Sequence, residues 1–213
     1  MTVNHSELRD KEAGRSDMVQ KILADFDSNE TVFEHSDRAV AVFGSARLSS
    51  ENPYYQVARE LGRNLAQHDI SVVTGGGPGI MEAANRGAHE ANGTSIGLGI
   101  EIPYEVTLNE YVDRGMTFHY FFTRKVMCTK HVTGFVVFPG GFGTLDELFE
   151  ILTLEQNHKI TNYPIVLVGT SYWAGLIEWL RGSMLSEGLI SPDCLKLLRI
   201  VDTADDAVKI FTP

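Results

Sequence analysis

The sequence predicts an α/β protein built on a doubly wound, mainly parallel sheet with helices on both faces. Three observations carry that expectation. From residue 38 onward short apolar runs alternate with stretches of helical period. The runs are nearly continuous in Val, Ile, Leu and Phe, as strands covered on both faces are. Several end in glycine clusters that lead directly into the next helical stretch. Right-handed crossovers between such units give a doubly wound sheet, with ligands expected at the carboxyl ends of the strands.

In chain order, residues 1–37 are polar and rich in Asp, Glu, Ser and Asn, with one helical candidate in which Met18, Ile22 and Phe26 recur every four residues. Two readings of this arm stand side by side: a contact with another copy of the chain, and an amphipathic turn docked on its own domain. The first strand is expected at Ala39–Phe43, followed by a helix with Tyr54, Val57, Ala58, Leu61 and Leu65 on one stripe. A second, 70–74, ends at Gly75-Gly76-Gly77-Pro78-Gly79; its helix carries a stripe of Ile80, Ala83, Ala84, Gly87, Ala88 and Ala91, and Asn92-Gly93 closes it. Residues that small let a helix lie close on a sheet. Further strands are expected at 94–100, 116–120, 134–138, 164–168 and 198–201, with helices at 122–131, after Thr144, after Val168 and at 203–211. Residues 38–213 read as one domain, without repeats or a Pro- or Ser-rich linker.

Composition narrows the function. At 213 residues, 43% hydrophobic and 22% charged, the chain can bury a core sufficient for stability without a disulfide or structural metal. Eighteen basic against 28 acidic residues give a formal charge of −10. Such a chain lacks the basic surface that holds a nucleic-acid polymer, whereas a few donors at one concave spot can still bind a small phosphorylated ligand. Cys128 and Cys194 have no metal-ligand spacing and read as small apolar core residues in a reducing compartment. No apolar leader or membrane-length window is present, so a cytoplasmic location is expected. The seven histidines form no H-x-x-x-H pattern, and neither a metal nor a cofactor is expected. Ser45 lacks the G-x-S-x-G elbow of a serine hydrolase.

The chemistry is expected at two glycine-rich turns, 75–79 and 140–144, each between a strand and a helix. Glycine lets bare backbone N–H groups approach a ligand, and a helix N-terminus favours an anion. The dinucleotide pattern G-x-G-x-x-G fails in both frames of the first turn, where Ile80 or Glu82 stands for the third glycine, although Glu101 falls where a ribose-binding acid would lie. In the second turn Thr144 and Glu147 have the spacing of a capping box; alternatively the Glu147 carboxylate faces the crevice beside a bound phosphate. Arg124-Lys125 opens the preceding helix at the same sheet edge. Two cations are unfavourable at a helix N-terminus and call for compensation, from an anionic ligand or from Glu147. The aromatics Phe118, Tyr120, Phe121 and Phe122 suit a core or an oligomer interface better than a base-stacking platform.

Phe122-Thr123-Arg124-Lys125, followed by Pro139-Gly140-Gly141-Phe142-Gly143-Thr144-Leu145-Asp146-Glu147, resembles the R-K and P-G-G-x-G-T-x-x-E motifs of the LOG ("lonely guy") family. The segment Gly75 to Glu82 is similar to that family's upstream glycine motif, and the resemblance spans 38–168. It implies a Rossmann-like nucleotide-binding domain and a phosphoribohydrolase that cleaves the N-glycosidic bond of cytokinin riboside 5′-monophosphates, and often AMP, to free base and ribose 5-phosphate. Members have carried the label lysine decarboxylase, which nothing resembling a pyridoxal-phosphate site supports here. The resemblance further implies Arg124 and Glu147 as the catalytic pair. Lys125 and Gly140, Gly141, Phe142, Gly143 and Thr144 would hold the nucleotide, with Glu105 and Thr153 at positions of further substrate contacts. The long acidic arm resembles that of longer bacterial members, and a homo-oligomer is expected. The rival reading is a non-catalytic nucleotide or molybdenum-cofactor carrier on the same fold.

Overall fold

The computed structural model describes residues 5–27, 31–101, 107–160 and 163–212, with side chains from residue 14 onward. Among the described residues seven strands form one sheet: β1 (Ala39–Phe43), β2 (Ser71–Thr74), β3 (Ser95–Ile100), β4 (Arg114–Phe118), β5 (Phe135–Val137), β6 (Ile165–Val168) and β7 (Leu198–Val201). Every pairing is parallel and the order is β4-β3-β2-β1-β5-β6-β7. The chain therefore winds outward from β1 in one direction, returns, and winds outward from β5 in the other.

Strand side chains alternate between two cores, because successive Cβ atoms leave a strand on opposite faces. Ala39, Ala41, Phe135, Val137, Ile165 and Leu167 enter one core. Val40, Val42, Val136, Phe138, Val166 and Val168 enter the other. The first is closed by α4 (Phe121–His131), α5 (Phe142–Gln156) and α6 (Thr170–Trp179), through Met127, Leu148, Ile151, Trp173 and Ile177. The second is closed by α2 (Pro53–Ala66), α3 (Ile80–Glu90) and α8 (Ala204–Lys209), through Ala58, Leu61, Ile80, Ala84 and Ala207. Helices thus cover both faces, as the patterning predicts.

Local chemistry sets the boundaries. Asn52 caps α2 by accepting from the Tyr54 N–H, with Pro53 at its first turn. Thr203 caps α8 on Asp206. Past α3, Asn92 takes the left-handed conformation (φ 56°) and the Gly93 N–H returns to the Ala88 carbonyl, the closure expected at Asn92-Gly93.

Several expectations change. The small-residue stripe of α3 serves a helix contact as well as the sheet: a methyl group on Gly87 would lie 1.8 Å from the Arg59 carbonyl oxygen of α2, and one on Gly62 would lie 2.1 Å from that of Ala84. The helix expected after Val168, with Leu180 and Met184 on its stripe, is α6 continued by a π-helical stretch, Leu180–Leu185; α7 (Pro192–Lys196), which precedes β7, was not expected. Cys128 is buried in the core as expected, whereas Cys194 is partly exposed beside Ser191 and Gln156. Of the aromatic run, Phe118 is core while Phe121 and Phe122 are exposed.

The arm forms α1 (His5–Asp27), which lies against α4. Its expected apolar stripe is not docked: Met18 and Phe26 are exposed, and Ile22 is half-buried. Among the residues of α1 whose side chains are described, the buried one is Asp25. No helix among the described residues is long and apolar enough to cross a membrane.

Candidate active site

The sheet order reverses between β1 and β5, and in a doubly wound sheet the crevice beyond the strand ends opens at that point. The turn after β1 and the turn after β5 meet there. The Ser45 N–H donates to the Pro139 carbonyl at 3.0 Å, and the Ser45 carbonyl accepts from the Ile80 N–H at 3.0 Å, which ties in the start of α3. Gly79, at φ 70°, makes this last approach possible, since a methyl group there would sit 2.4 Å from the Ser45 oxygen. The far side of the turn is fixed by Tyr172, whose hydroxyl donates to the Gly140 carbonyl at 2.6 Å. The result is a cleft of about 810 Å³ over the strand ends. A second lobe of about 450 Å³ shares Ala46, Gly75, Met81 and Arg124 with it.

The glycines of 140–144 have two different reasons to be glycine. At Gly140 a methyl group would meet Thr144 Oγ1 at 2.1 Å, so packing forbids a side chain. At Gly141 and Gly143 it would meet nothing within 4 Å, and neither has a left-handed φ. Neither packing nor dihedral requires glycine at those two positions. They are open toward the cleft, at the first turn of α5, whose N–H groups have no intrahelical acceptor.

α5 begins three residues earlier than a capping box would have it. Gly141 is the N-cap, without a side-chain capping bond, and Thr144 already lies inside the helix. Of the two readings of Thr144 and Glu147, the cap is overturned, because α5 starts at Gly141, three residues before Thr144 could cap it. Glu147 is thereby released from its own helix end and pairs with Arg124 of α4. The two side chains are 15% and 10% exposed, and both residues line the cleft. The Arg124 guanidinium also lies 5.3 Å from the centre of the Phe121 ring. Burial pushes the Glu147 carboxyl above the ordinary glutamate range, and the charges of Arg124 and Lys125 only partly oppose this.

The other expected residues divide. Gly140, Gly141, Phe142, Gly143 and Thr144 line the cleft with the pair, and Phe142 is 93% exposed at its mouth. Lys125 does not line it: its Nζ is held by Asp146 at 2.8 Å and by Glu150, so it straps α4 to α5. Thr153 lies farther along α5, its hydroxyl donating to the Phe149 carbonyl, and it lines a separate small apolar pocket near Cys194. Glu105 lies outside the described residues. Glu101 is exposed and lines neither lobe. Ser45, Arg47, Met81 and Phe121 line the cleft without having been singled out for it. The signal for the first two was the end of β1 at Gly44, since the first strand of a doubly wound sheet borders the switch point.

A family model described as possible lysine decarboxylase matches residues 81–211. A Mycobacterium tuberculosis cytokinin riboside 5′-monophosphate phosphoribohydrolase is 31% identical, covering 83% of this chain and 95% of its own. The chain belongs to the LOG family. An Arabidopsis thaliana LOG-family protein with the same activity in its name is 29% identical over 84% of each chain. Among solved structures, a molybdenum cofactor binding protein from Rippkaea orientalis has the same fold, with a TM-score of 0.59 at 22% identity, covering 84% of this chain and 97% of that one. Among the described residues of this LOG-family chain, no group of three or more His, Cys, Asp or Glu able to hold a metal is found.

Proposed function

We propose that this chain hydrolyses the N-glycosidic bond of purine riboside 5′-monophosphates, cytokinin forms and AMP included, releasing free base and ribose 5-phosphate. One observation carries the reading: a shielded Arg124–Glu147 pair opens on a cradle of unobstructed backbone at Gly141 and Gly143. The chemistry follows from charge. The sugar passes through an oxocarbenium-like state, so a carboxylate beside C1′ is worth most when positive charge peaks there. Glu147 supplies it and orients the attacking water. The water's hydroxyl ends on C1′, its proton leaves by way of Glu147, and the departing base takes a proton from solvent. Arg124 fixes the carboxylate and the substrate through its planar fork of donors. The 5′-phosphate rests on the N–H groups of the first turn of α5, and that remote binding energy places C1′. Arg124 borders both lobes of the cleft, which suits a substrate whose two chemically different halves are joined at the bond to be cut.

The deciding experiment incubates the pure protein with AMP and with isopentenyladenine riboside 5′-monophosphate and separates free base. Base release by the wild type, with Glu147→Ala binding AMP yet releasing almost none, is the expected result. Tight binding with no release by the wild type would establish the carrier reading instead. Operation in the cytoplasm as a homo-oligomer, with a second copy covering the exposed apolar residues of α1 and α4, belongs to the same reading; light scattering tests the assembly.

A further inference from the structure

α4 carries Arg124 and Lys125 in its first turns, and none of its own first-turn residues is acidic; Tyr120, its N-cap, makes no side-chain capping bond. By itself this is a poor helix start, with cations where the helix dipole disfavours them and N–H groups without acceptors. The missing negative charge comes from elsewhere in the chain. Asp25, near the end of α1, is 1% exposed and reaches the segment just before and inside the start of α4. Its Oδ1 accepts from His119 Nδ1 at 2.7 Å and from the His119 backbone N–H at 3.1 Å. Its Oδ2 lies 2.5 Å from the Thr123 hydroxyl, which donates to it. A carboxylate is therefore buried in the arm, bonded across almost a hundred residues of sequence to the two positions that bracket the turn into α4. Thr123, itself fully buried, immediately precedes Arg124.

We propose that Asp25 is a positioning residue for Arg124. By holding His119 and Thr123 it sets the first turn of α4, and with it the line along which the guanidinium meets Glu147. The N-terminal helix is on this account a working part of the site rather than an appendage. Its apolar side chains Met18, Leu23 and Phe26 are exposed, whereas Asp25, the acid buried among its described side chains, is bonded to the start of α4. The inference rests on the proposed hydrolysis for its kinetic consequence but not for its structural one.

The test uses the full chain with Asp25→Asn, which preserves size while removing the charge and one acceptor oxygen. Asp17→Asn is the control, on the same helix but exposed and paired with Lys21. Two quantities are read: amide hydrogen exchange at residues 119–124, and kcat and KM for adenine release from AMP, corrected for folded fraction. Asp25→Asn is expected to speed exchange at 119–124 at least tenfold while leaving β1 and β5 protected. It is also expected to lower kcat at least tenfold, with a smaller change in KM; Asp17→Asn changes neither. Wild-type exchange together with wild-type kcat in Asp25→Asn overturns the proposal, as does a rate loss explained entirely by the folded fraction. Should Asp25→Asn fail to fold, His119→Phe removes the Nδ1 bond to Asp25 and is read identically. If the wild type itself releases no base, the hydrolase reading fails, and exchange at 119–124 still decides the role of Asp25.

Discussion

The Arg124 guanidinium of α4 and the Glu147 carboxylate of α5 form an ion pair in which both side chains are largely withdrawn from water and both border the cleft. Such a pair costs desolvation energy that an exposed one does not. It stands where sheet topology opens a binding crevice.

Replacing Arg124 by Lys keeps the charge but loses the planar fork. A lysine reaches Glu147 with a point charge and cannot orient carboxylate and substrate together. Loss of one oriented donor of this kind lowers turnover about 10²–10³-fold. We expect Arg124→Lys to fall in that range in a base-release assay, with a melting temperature near that of the wild type.

The glycines of 140–144 are expected to separate stability from activity. Gly143 lies in α5 with open space where a methyl group would go. Gly143→Ala should leave stability unchanged or raise it by about 0.5–1 kcal/mol, yet weaken AMP binding tenfold or more by filling the cradle. Gly140→Ala meets Thr144 and should instead destabilise by about 1–3 kcal/mol. Thermal melts beside AMP titrations check both, and a Gly143→Ala protein that binds AMP normally removes the cradle from the mechanism.

The pH dependence follows from the burial of Glu147. Its carboxyl is raised above the ordinary range, and the proposed chemistry needs the ionised form. Lowering the pH protonates a raised carboxyl sooner than an ordinary one, so kcat/KM for base release should drop on the acid side with a midpoint above the usual glutamate value. The stability linkage has the opposite sense: a raised folded pKa favours the protonated fold, and that contribution fades as pH rises through it. A pH–rate profile whose acid limb lies at or below the usual value would contradict the assignment.

Lys125 provides a contrast with its neighbour. Its ammonium is bound to Asp146 and Glu150, whose side chains are 60% and 34% exposed, so water takes over their solvation and Lys125→Met should cost only about 0–1 kcal/mol of stability. KM for AMP should move less than threefold. A large rise in KM at unchanged stability would mean that Lys125 swings into the cleft to reach substrate.

The strands were legible because parallel strands buried on both faces are short apolar blocks bounded by turn residues, and β1 falls where that pattern sets it; β7, a partly exposed edge strand, also falls at its expected run. β4 was less so: its five residues alternate in burial at the sheet edge, and the apolar run placed it two residues late. The pair Arg124 and Glu147 was legible as motif, yet the T-x-x-E spacing fitted a cap equally well. Spacing alone does not say which residue begins a helix. That depends on Gly141 starting α5 early.

The sequence by itself determined the alternation of strands and helices, the two glycine turns and the residue types at the site, because these reside in local periodicity and in the conformational freedom of single residues. The tertiary structure alone decided which charges meet. Lys125 goes to Asp146 and Glu150, Arg124 to Glu147, and Asp25 to His119 and Thr123. Adjacent residues on a helix point about 100° apart, so neighbours in sequence acquire different partners only when the facing elements are packed. The order of strands, which brings β1 beside β5, is likewise a property of the folded sheet.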